Sequence, residues 1–427
     1  MTEIFLLGIF SAALVACVAT GSSILFALIF GLIIFSGYAL EVGHSPRKVF
    51  CMWRDGVRPV KPILLTLVLI GMLTALWRAA GVIPAIIFYT ADFFSPALIL
   101  LLSFWLCALV SVLTGTAFGT GATMGVICAA TAESFGVPLW LTGGAILSGA
   151  YFGDRCSPMS TSALLVATVT RTYIFRNLRG MIRTSTVPLI LASVLYLAAG
   201  IFVAGDGAGV NVKEIFARTF VIQPSVLIPA ILIVVLSLFR LRVQLMMSAS
   251  ILACIFVAAD VQSLSVGELL KISALGYFPD DDELARILSG GGIISMANVF
   301  AIVCLSSCYA GIFHATGFLD GLQKLFTAAG KKFSPFASVL MASIVTSMVA
   351  CNQTLAIMLT QQLCCKVEPR AEVFALHLEN SAVLVSPLIP WSIACAVILT
   401  VIGAPLSGVV AAFYLWLVPA CYLRSTS

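Results

Sequence analysis

Charged residues are scarce in this chain of 427 residues. Only 10% are Asp, Glu, Lys or Arg, whereas 61% are hydrophobic. A water-soluble domain carries about 25% charged residues, so the composition excludes one and places most of the chain in a lipid bilayer. The net formal charge of +5 is interpreted as membrane topology and not as nucleic-acid binding. We therefore expect an all-α polytopic membrane protein without a nucleic-acid partner.

Signatures of catalysis are also missing. The sequence has no Walker A, HExxH or GxSxG pattern, its three histidines lie far apart, and its 13 cysteines include no CxxC pair. No stretch outside the predicted membrane segments is long enough for a nucleotide-binding domain. We therefore expect neither an enzyme nor an ATP-driven pump, no cofactor, and cysteines that serve mainly as small buried hydrophobic residues.

Basic residues are absent from the first 46 positions and then mark the predicted loops. Arg47 is the first of them, so the apolar segment 4–20 lacks the charged region of a signal peptide and is interpreted as a retained membrane helix. The positive-inside rule places the basic loops 44–61 and 171–183 in the cytoplasm. We expect a multi-pass protein of the inner (plasma) membrane with both termini cytoplasmic. Two further groups of residues mark the topology. We expect the acidic loop 280–283 outside and Lys324, Lys331, Lys332 and Arg424 inside.

The apolar segments predict about ten transmembrane helices and two re-entrant hairpins, whose arms are too short to span the bilayer comfortably. If those arms cross the bilayer fully, the number of transmembrane helices is higher. In the first half we expect helices at 4–20, 22–38, 62–89 and 187–203, a hairpin over 97–133 with its tip at 114–121, and a helix 139–170 broken near 153–158. In the second half we expect helices at 224–239, 243–259, 293–314 and 406–422, a hairpin over 335–365 with its tip at 346–353, and a broken helix 373–402.

The two halves share the order of their polar breaks but run in opposite directions. Segment 62–89 starts inside, whereas segment 293–314 starts outside. This pattern indicates two inverted-topology repeats, 1–203 and 204–427, and interrupted helices at matching positions near the midplane are the best sequence pointer to a transporter's binding site. The alignment pairs Thr114 with Thr346, Thr120 with Asn352, and Asp154 with Asn380.

Polar side chains at these breaks predict a binding site. A charge at the bilayer centre costs at least about 2.5 kcal/mol, and lipid cannot satisfy a broken backbone, so the stretch 153–162 indicates a protein-enclosed site. A hard cation such as Na+ takes its ligands from hydroxyls, carbonyls and carboxylates. The predicted cation- and proton-binding residues are Thr114, Thr120, Asp154, Ser157, Ser160, Thr161, Asn352, Glu379, Asn380 and Ser386.

Asp154 and Glu379 are the ionisable members of this set. A poorly hydrated carboxyl group can hold a proton while the site is empty and release it when a cation arrives, which is sufficient for exchange. The alternatives are, for Asp154, a structural ion pair with Arg155 or with a helix end and, for Glu379, an interfacial carboxylate satisfied by His377 or Asn380. The hydroxyl groups could equally satisfy backbone carbonyls within helices.

Four motifs carry a resemblance to a known family. The segments TGTAFGTGATMG (114–125), SGAYFGDRCSPMS (148–160), NQTLAIML (352–359) and LENSAVLVSPLIPWS (378–392) resemble successive motifs of NhaC-type Na+/H+ antiporters, which belong to the ion transporter superfamily. The resemblance implies a secondary active transporter that exchanges a monovalent cation for protons by alternating access. A homodimer is implied by the superfamily resemblance alone.

The chain also departs from the family pattern. In the family, Asp-Thr-Thr-Asn usually follows the serine that corresponds to Ser160, whereas this chain has Thr161, Ser162, Ala163 and Leu164. Asn380 stands where an Asp usually follows the Glu. Because the family includes similar members that exchange organic acids or amino acids, the alternative function is Na+- or H+-coupled transport of such a small organic anion.

Overall fold

Helices account for the regular structure of the chain. The computed structural model describes residues 2–20, 22–90, 95–204, 212–239, 241–281, 284–285, 288–318 and 334–426. Within these ranges an isolated antiparallel bridge between Tyr277 and Gly290 accompanies the helices. The all-α prediction is therefore confirmed for the described part. The predicted markers Lys324, Lys331 and Lys332, and residues 282–283 of the acidic loop, lie outside it.

The first half contains helices of very different length. Short 3₁₀ and π segments, Arg58–Val60 and Gly121–Gly125, connect some of them. The α-helices are α1 Thr2–Ala19, α2 Ile24–Glu41, α3 Pro46–Val57, α4 Lys61–Ala79, α5 Val82–Thr90, α6 Ile99–Thr114, α7 Ala117–Thr120, α8 Val126–Ser134, α9 Leu139–Cys156, α10 Thr161–Thr170 and α11 Ile174–Ala204.

The second half continues with helices of similar character. Four 3₁₀ segments interrupt it at Pro224–Leu227, Ile293–Met296, Ser386–Leu388 and Leu406–Ala411, counted over the described ranges. The α-helices are α12 Val212–Thr219, α13 Ile228–Leu238, α14 Val243–Asp260, α15 Val266–Leu275, α16 Ala297–Thr316, α17 Pro335–Ala350, α18 Gln353–Cys364, α19 Ala371–Asn380, α20 Ala382–Val385, α21 Ile393–Val401 and α22 Phe413–Thr426.

Several helices are long and apolar enough to cross a membrane. In the described part four meet this condition, and a pair bent by 51°, Ala371–Leu388 with Ile393–Val401, adds a fifth. Other apolar helices, such as α6 and α17, are shorter. The predicted ten crossings, two hairpins and inverted repeats stay predictions. The four long spans are Ile24–Glu41, Pro46–Ala79, Ile174–Val203 and Ile293–Phe313.

Two segments predicted as basic loops are helical. Most of 44–61 forms α3, which begins with Ser45 as N-cap and Pro46 at its first position. Most of 171–183 lies in α11, a helix of 31 residues that continues through Pro188. The basic residues were taken as evidence of loops, but Lys and Arg are good helix formers. They exclude these segments from the apolar core of the bilayer and do not exclude them from a helix.

Other predicted helices have different bounds. Segment 62–89 is divided into α4 and α5 at Gly81, whose φ is 76°. Within 139–170 the helix α9 extends to Cys156, so Asp154 lies in its last turn and not in the unwound stretch. Within 406–422 the α-helix starts only at Phe413, after a 3₁₀ segment.

Close packing of α6 against α9 positions the site. A Cβ atom on Gly149 would lie 2.2 Å from the Phe104 carbonyl oxygen, and one on Gly153 would lie 2.3 Å from the Ser111 Cβ. Both positions therefore require glycine for the observed distance between the helices. This approach brings the last turn of α9, which carries Asp154, next to the end of α6.

Candidate functional site

The tip between α6 and α7 has the same local structure as the tip between α17 and α18. After α6, Gly115 adopts a left-handed conformation (φ 66°) and Thr116 forms the next N-cap. After α17, Cys351 is left-handed (φ 52°) and Asn352 is the N-cap. These helix ends make Thr116 the counterpart of Asn352, four residues before the Thr120 of the sequence alignment.

The two helix breaks are also alike. Between α9 and α10 the backbone is non-helical at Ser157, and Ser160 is the N-cap of α10. In the second half, α19 ends at Ser381 (φ −125°, ψ −87°), the short α20 and the 3₁₀ segment Ser386–Leu388 follow, and Ser392 is the N-cap of α21. Each N-cap serine also contacts a second serine hydroxyl: Ser160 with Ser162 at 2.8 Å, and Ser386 with Ser392 at 3.1 Å.

Each tip contacts the break of its own half. A Cβ atom on Gly115 would lie 2.8 Å from the backbone carbon of Met159, and the amide of Ile393 donates to the Cys351 carbonyl at 2.8 Å. A cavity of about 430 Å³ lies among these elements, and α4 and the chain before α14 complete its wall. The predicted site residues that line this cavity are Thr114, Thr161 and Asn352.

Asp154 is held by hydroxyl groups. Ser160 Oγ donates to its Oδ1 at 2.9 Å and Ser162 Oγ donates to its Oδ2 at 2.7 Å, and the residue is buried. Both Asp154 and Arg155 are described, and no ion pair joins them. The interpretation of Asp154 as the ion-pair partner of Arg155 is therefore wrong, whereas its interaction with a helix end stays a prediction. Ser162 belongs to the run of hydroxyl residues that follows the first break in the sequence.

Glu379 is fully buried, and neither of its carboxyl oxygens has a hydrogen-bond partner among the described residues. His377 does not satisfy it, because its Nδ1 contacts the Tyr422 hydroxyl at 3.2 Å. Asn380 does not satisfy it either, since its Oδ1 accepts from Arg155 and its Nδ2 has no partner in the described part. The interpretation of Glu379 as a satisfied interfacial carboxylate is therefore wrong.

Arg155 is the central residue that sequence reasoning did not assign to the site. Its guanidinium is fully buried and joins α9 to three other helices. Its Nε donates to the Glu379 carbonyl oxygen at 3.1 Å, and Glu379 lies within electrostatic range of both Arg155 and Asp154. A lone Arg inside an apolar segment was the available signal. Its remaining oxygen partners are Thr184 (2.9 Å), Tyr414 (3.1 Å), the Met181 carbonyl (3.4 Å), Ser185 and Asn380.

The other predicted site residues have protein partners outside the cavity. Thr120 donates to the Thr116 carbonyl at 2.9 Å within its own helix. Ser157 donates to the Val112 carbonyl at 2.8 Å and so ties the first break to α6. The hydroxyl of Ser386 contacts that of Ser392. These three hydroxyl groups thus have protein partners, and that of Ser157 joins two elements. Within the described ranges, no three His, Cys, Asp or Glu side chains form a group that could hold a metal ion.

Known proteins share this sequence along most of its length. The Na+/H+ antiporter family model matches residues 1–172 and 149–424. The Na(+)/H(+) antiporter NhaC of Bacillus subtilis (strain 168) is 28% identical over 92% of this chain and 89% of that protein. The Malate-2H(+)/Na(+)-lactate antiporter of the same organism is 27% identical over 83% of this chain and 78% of its own length.

A further relative is the Arginine/ornithine antiporter ArcD of Halobacterium salinarum, which is 25% identical over 79% of this chain and 73% of that protein. The relatives thus include Na+/H+ antiporters and antiporters of organic substrates. The chain belongs to the Na+/H+ antiporter family, and it is a multi-pass secondary antiporter of the membrane and not an enzyme.

Proposed function

We propose that the protein exchanges a monovalent cation, Na+ first of all and alternatively Li+ or K+, for protons at a site between the two helix breaks. Asp154 and Glu379 are its ionisable groups. The observation that carries this proposal is the environment of Glu379, a fully buried carboxyl group without a hydrogen-bond partner in the described part of the chain.

An ionised carboxylate in such a place is costly. Burial of an unpaired charge removes its hydration, and an effective penalty of several kcal/mol remains after relaxation of the surroundings. The group therefore either carries a proton or has a cation beside it. Those two occupancies exclude one another, and their competition couples the movement of the cation to that of the proton.

Asp154 and its hydroxyl partners provide the oxygen ligands. Ser160 and Ser162 each donate to one carboxylate oxygen of Asp154. The Ser160 oxygen also accepts from the first amides of α10, whereas the Ser162 oxygen and the Asp154 carboxylate keep lone pairs that can face a cation. A small hard cation is bound by such a set of oxygens. Glu379 lies within electrostatic range of Asp154, so a cation beside Asp154 also favours release of the Glu379 proton.

Both breaks contribute to this site, so movement of one against the other can change its access. Arg155 on α9 binds the end of α19 through the Glu379 carbonyl and Asn380. In transporters built from inverted repeats, rocking of one repeat against the other opens a midplane site alternately to each side. The proposed cycle binds a cation on one side and returns with a proton.

Purified protein in proteoliposomes with an internal pH dye tests the proposal. Addition of Na+, Li+ or K+ outside should move protons in the opposite direction, and Glu379→Gln should lower this rate to the protein-free background. Glu372→Gln is the matched control, because Glu372 lies on the same helix but is exposed and pairs with Arg176 at the surface. Proton movement at the wild-type rate in Glu379→Gln would contradict the assigned role.

A further inference from the structure

The exposed face of α11 changes from basic to apolar along one stripe. Arg179 and Arg183 are both exposed and stand four residues apart, so their Cβ atoms lie about 5–6 Å from each other on the same side of the helix. Exposed apolar side chains continue this side for about 20 Å, at 1.5 Å per residue. They are Val187 (57%), Ile190 (58%), Val194 (57%) and Ile201 (58%).

The two arginines of this stripe have no counter-charge in the protein. Arg176 on the same helix pairs with Glu372, whereas neither Arg179 nor Arg183 has a hydrogen bond or a carboxylate partner among the described residues. The sequence from 171 to 204 contains no acidic residue. Two neighbouring like charges on a helix repel each other, so an anion bound between them would stabilise this part of α11. Guanidinium groups suit phosphate in particular, because their planar donors match its oxygens.

The opposite face of the same turns holds the buried Arg155. Thr184 Oγ1 accepts from its guanidinium at 2.9 Å, and the Met181 carbonyl oxygen accepts at 3.4 Å. Arg155 in turn donates to the Glu379 carbonyl oxygen at 3.1 Å. The turns that carry the two exposed arginines therefore also help to position the carboxyl group assigned to exchange.

We infer that this stripe binds an anionic phospholipid. Its phosphate pairs with Arg179 and Arg183, and an acyl chain lies along the apolar side chains that follow. The unpaired positive charge selects an anionic head group, and the continuous apolar surface selects a lipid over a free phosphate ion. A second copy of the chain is disfavoured here, because two copies of the same orientation in the membrane would bring these arginines together. An effect of the lipid on exchange rests on the proposed function, whereas its binding does not.

Thermal unfolding of the detergent-purified full-length protein tests the binding at constant ionic strength. Dioleoyl phosphatidylglycerol should raise the melting temperature saturably, because a ligand that binds the folded state stabilises it. Dioleoyl phosphatidylcholine has the same acyl chains but no net charge, and inorganic phosphate has no acyl chain, so neither should produce this rise. An equal rise with either of these two probes would overturn the inference.

Substitutions place the site on α11. In Arg179→Gln/Arg183→Gln, the phosphatidylglycerol concentration that gives half of the rise should increase about tenfold or more. Arg179→Lys/Arg183→Lys keeps both charges and should stay within about threefold of wild type. Arg47→Gln/Lys48→Gln is the matched control, because it removes two exposed charges from α3 instead. An equal increase in this control, or no increase in the glutamine variant of α11, would contradict the assigned site.

The gel-filtration profile shows whether each variant is folded and in which oligomeric state. If the double variant does not fold, Arg179→Gln and Arg183→Gln alone decide, and each should increase the half-point about threefold or more. A variant that changes the oligomeric state without changing the phosphatidylglycerol effect would assign the stripe to a subunit interface and exclude the lipid.

Proteoliposomes separate this inference from the proposed function. Replacing part of the phosphatidylcholine by phosphatidylglycerol should raise cation-driven proton movement about threefold or more in wild type and not in Arg179→Gln/Arg183→Gln. A melting-temperature rise without any cation-driven proton movement would overturn the antiport proposal and leave the lipid site standing. Proton movement in a protein that phosphatidylglycerol does not stabilise would do the reverse.

Discussion

Arg155 connects four helices through the hydrogen bonds of one side chain. Its guanidinium is fully buried, and its hydrogen bonds reach hydroxyl, amide and carbonyl oxygens on α11, α19 and α22. A buried charge is tolerated when its donors are satisfied and other charges lie near it. Here the donors meet neutral oxygens, and Glu379 is close enough to act on the charge. The position of the Glu379 backbone, and so of its carboxyl group, depends on this residue.

Replacement of Arg155 by Lys should therefore impair both folding and transport. A single ammonium cannot reproduce the fork that reaches Tyr414, Thr184 and Asn380 together, and each charged hydrogen bond contributes about 1.5–3 kcal/mol. We expect the free energy of unfolding to fall by about 2 kcal/mol or more and the exchange rate about tenfold. Arg47→Lys, at an exposed position, is the control. Thermal unfolding and the proteoliposome assay measure the two effects; a wild-type result in both would contradict the assigned role.

Substitution of Asp154 by Asn tests the role of the negative charge, because Asn has nearly the same size as Asp. Asp154→Asn keeps an oxygen that accepts from Ser160 or Ser162 but removes the negative charge. We expect normal expression and loss of cation-driven proton movement to background. Asp55→Asn, at an exposed position, should transport like wild type. Flux at the wild-type rate in Asp154→Asn would remove this residue from the mechanism.

Glu368, which lies outside the predicted membrane segments, makes a pH-dependent contribution to the stability of the folded state. Hydrogen bonds from Arg370 lower the pKa of its carboxyl group below the ordinary value of 4.5. A lowered pKa means that the ion pair stabilises the folded state above the unfolded value of 4.5 and that this stability is lost as pH falls through the folded value. Glu368→Gln should therefore reduce the loss of melting temperature on acidification from about pH 5 to pH 3. Identical pH profiles for the variant and wild type would contradict this.

For the helices, the sequence predicted the positions of the two breaks more accurately than it predicted where each helix begins and ends. Pro, Gly and hydroxyl residues in apolar segments located both breaks, because such residues disturb helices wherever they occur. The basic segments 44–61 and 171–183 were taken as loops, since charge excludes the membrane core but says little about helicity. The pairing of Thr120 with Asn352 was one helical turn off. Similar small and polar residues recur about every four positions near the first tip, so weak similarity cannot fix its register.

The turns at the two tips have the same left-handed conformation but are formed by different residues. Gly115 and Cys351 are both left-handed, but glycine adopts this conformation without strain whereas cysteine does not. Gly115→Ala should lower stability by about 1 kcal/mol or more, because a Cβ atom would also press on the backbone of Met159. Cys351→Gly relieves this strain but removes a fully buried side chain, so it should change stability by less than about 1 kcal/mol in either direction. Chemical unfolding measures both changes in stability. Equal effects of the two substitutions would show that the left-handed backbone conformation does not determine these changes.

At the scale of the whole molecule, the sequence could identify the class of protein but not which residues meet. Hydrophobic composition and the four motifs were enough for a membrane antiporter family, as the comparison with known proteins confirms. The contact of each tip with a break, and the partners of Arg155 on three other helices, depend on tertiary packing between residues that are up to 259 positions apart. Local patterns contain no information about such pairs, so the sequence alone did not show that Ser157 donates to the Val112 carbonyl.

The predicted inverted repeats can be tested by the sidedness of two exposed positions. In a variant whose exposed cysteines in the described part, Cys51 and Cys365, are replaced by Ser, a single new cysteine can report one side of the membrane. Arg58→Cys, just before α4, and Asp280→Cys, before α16, are both at exposed positions.

A membrane-impermeant maleimide should label Asp280→Cys in right-side-out vesicles and Arg58→Cys only in inside-out vesicles. The positive-inside rule gives this expectation, because basic residues surround Arg58 and acidic ones surround Asp280. Labelling of both from the same side would mean that α4 and α16 enter the membrane in the same direction, and the inverted repeat would then be wrong. Labelling of each from the side opposite to that expected would keep the inversion but reverse the orientation.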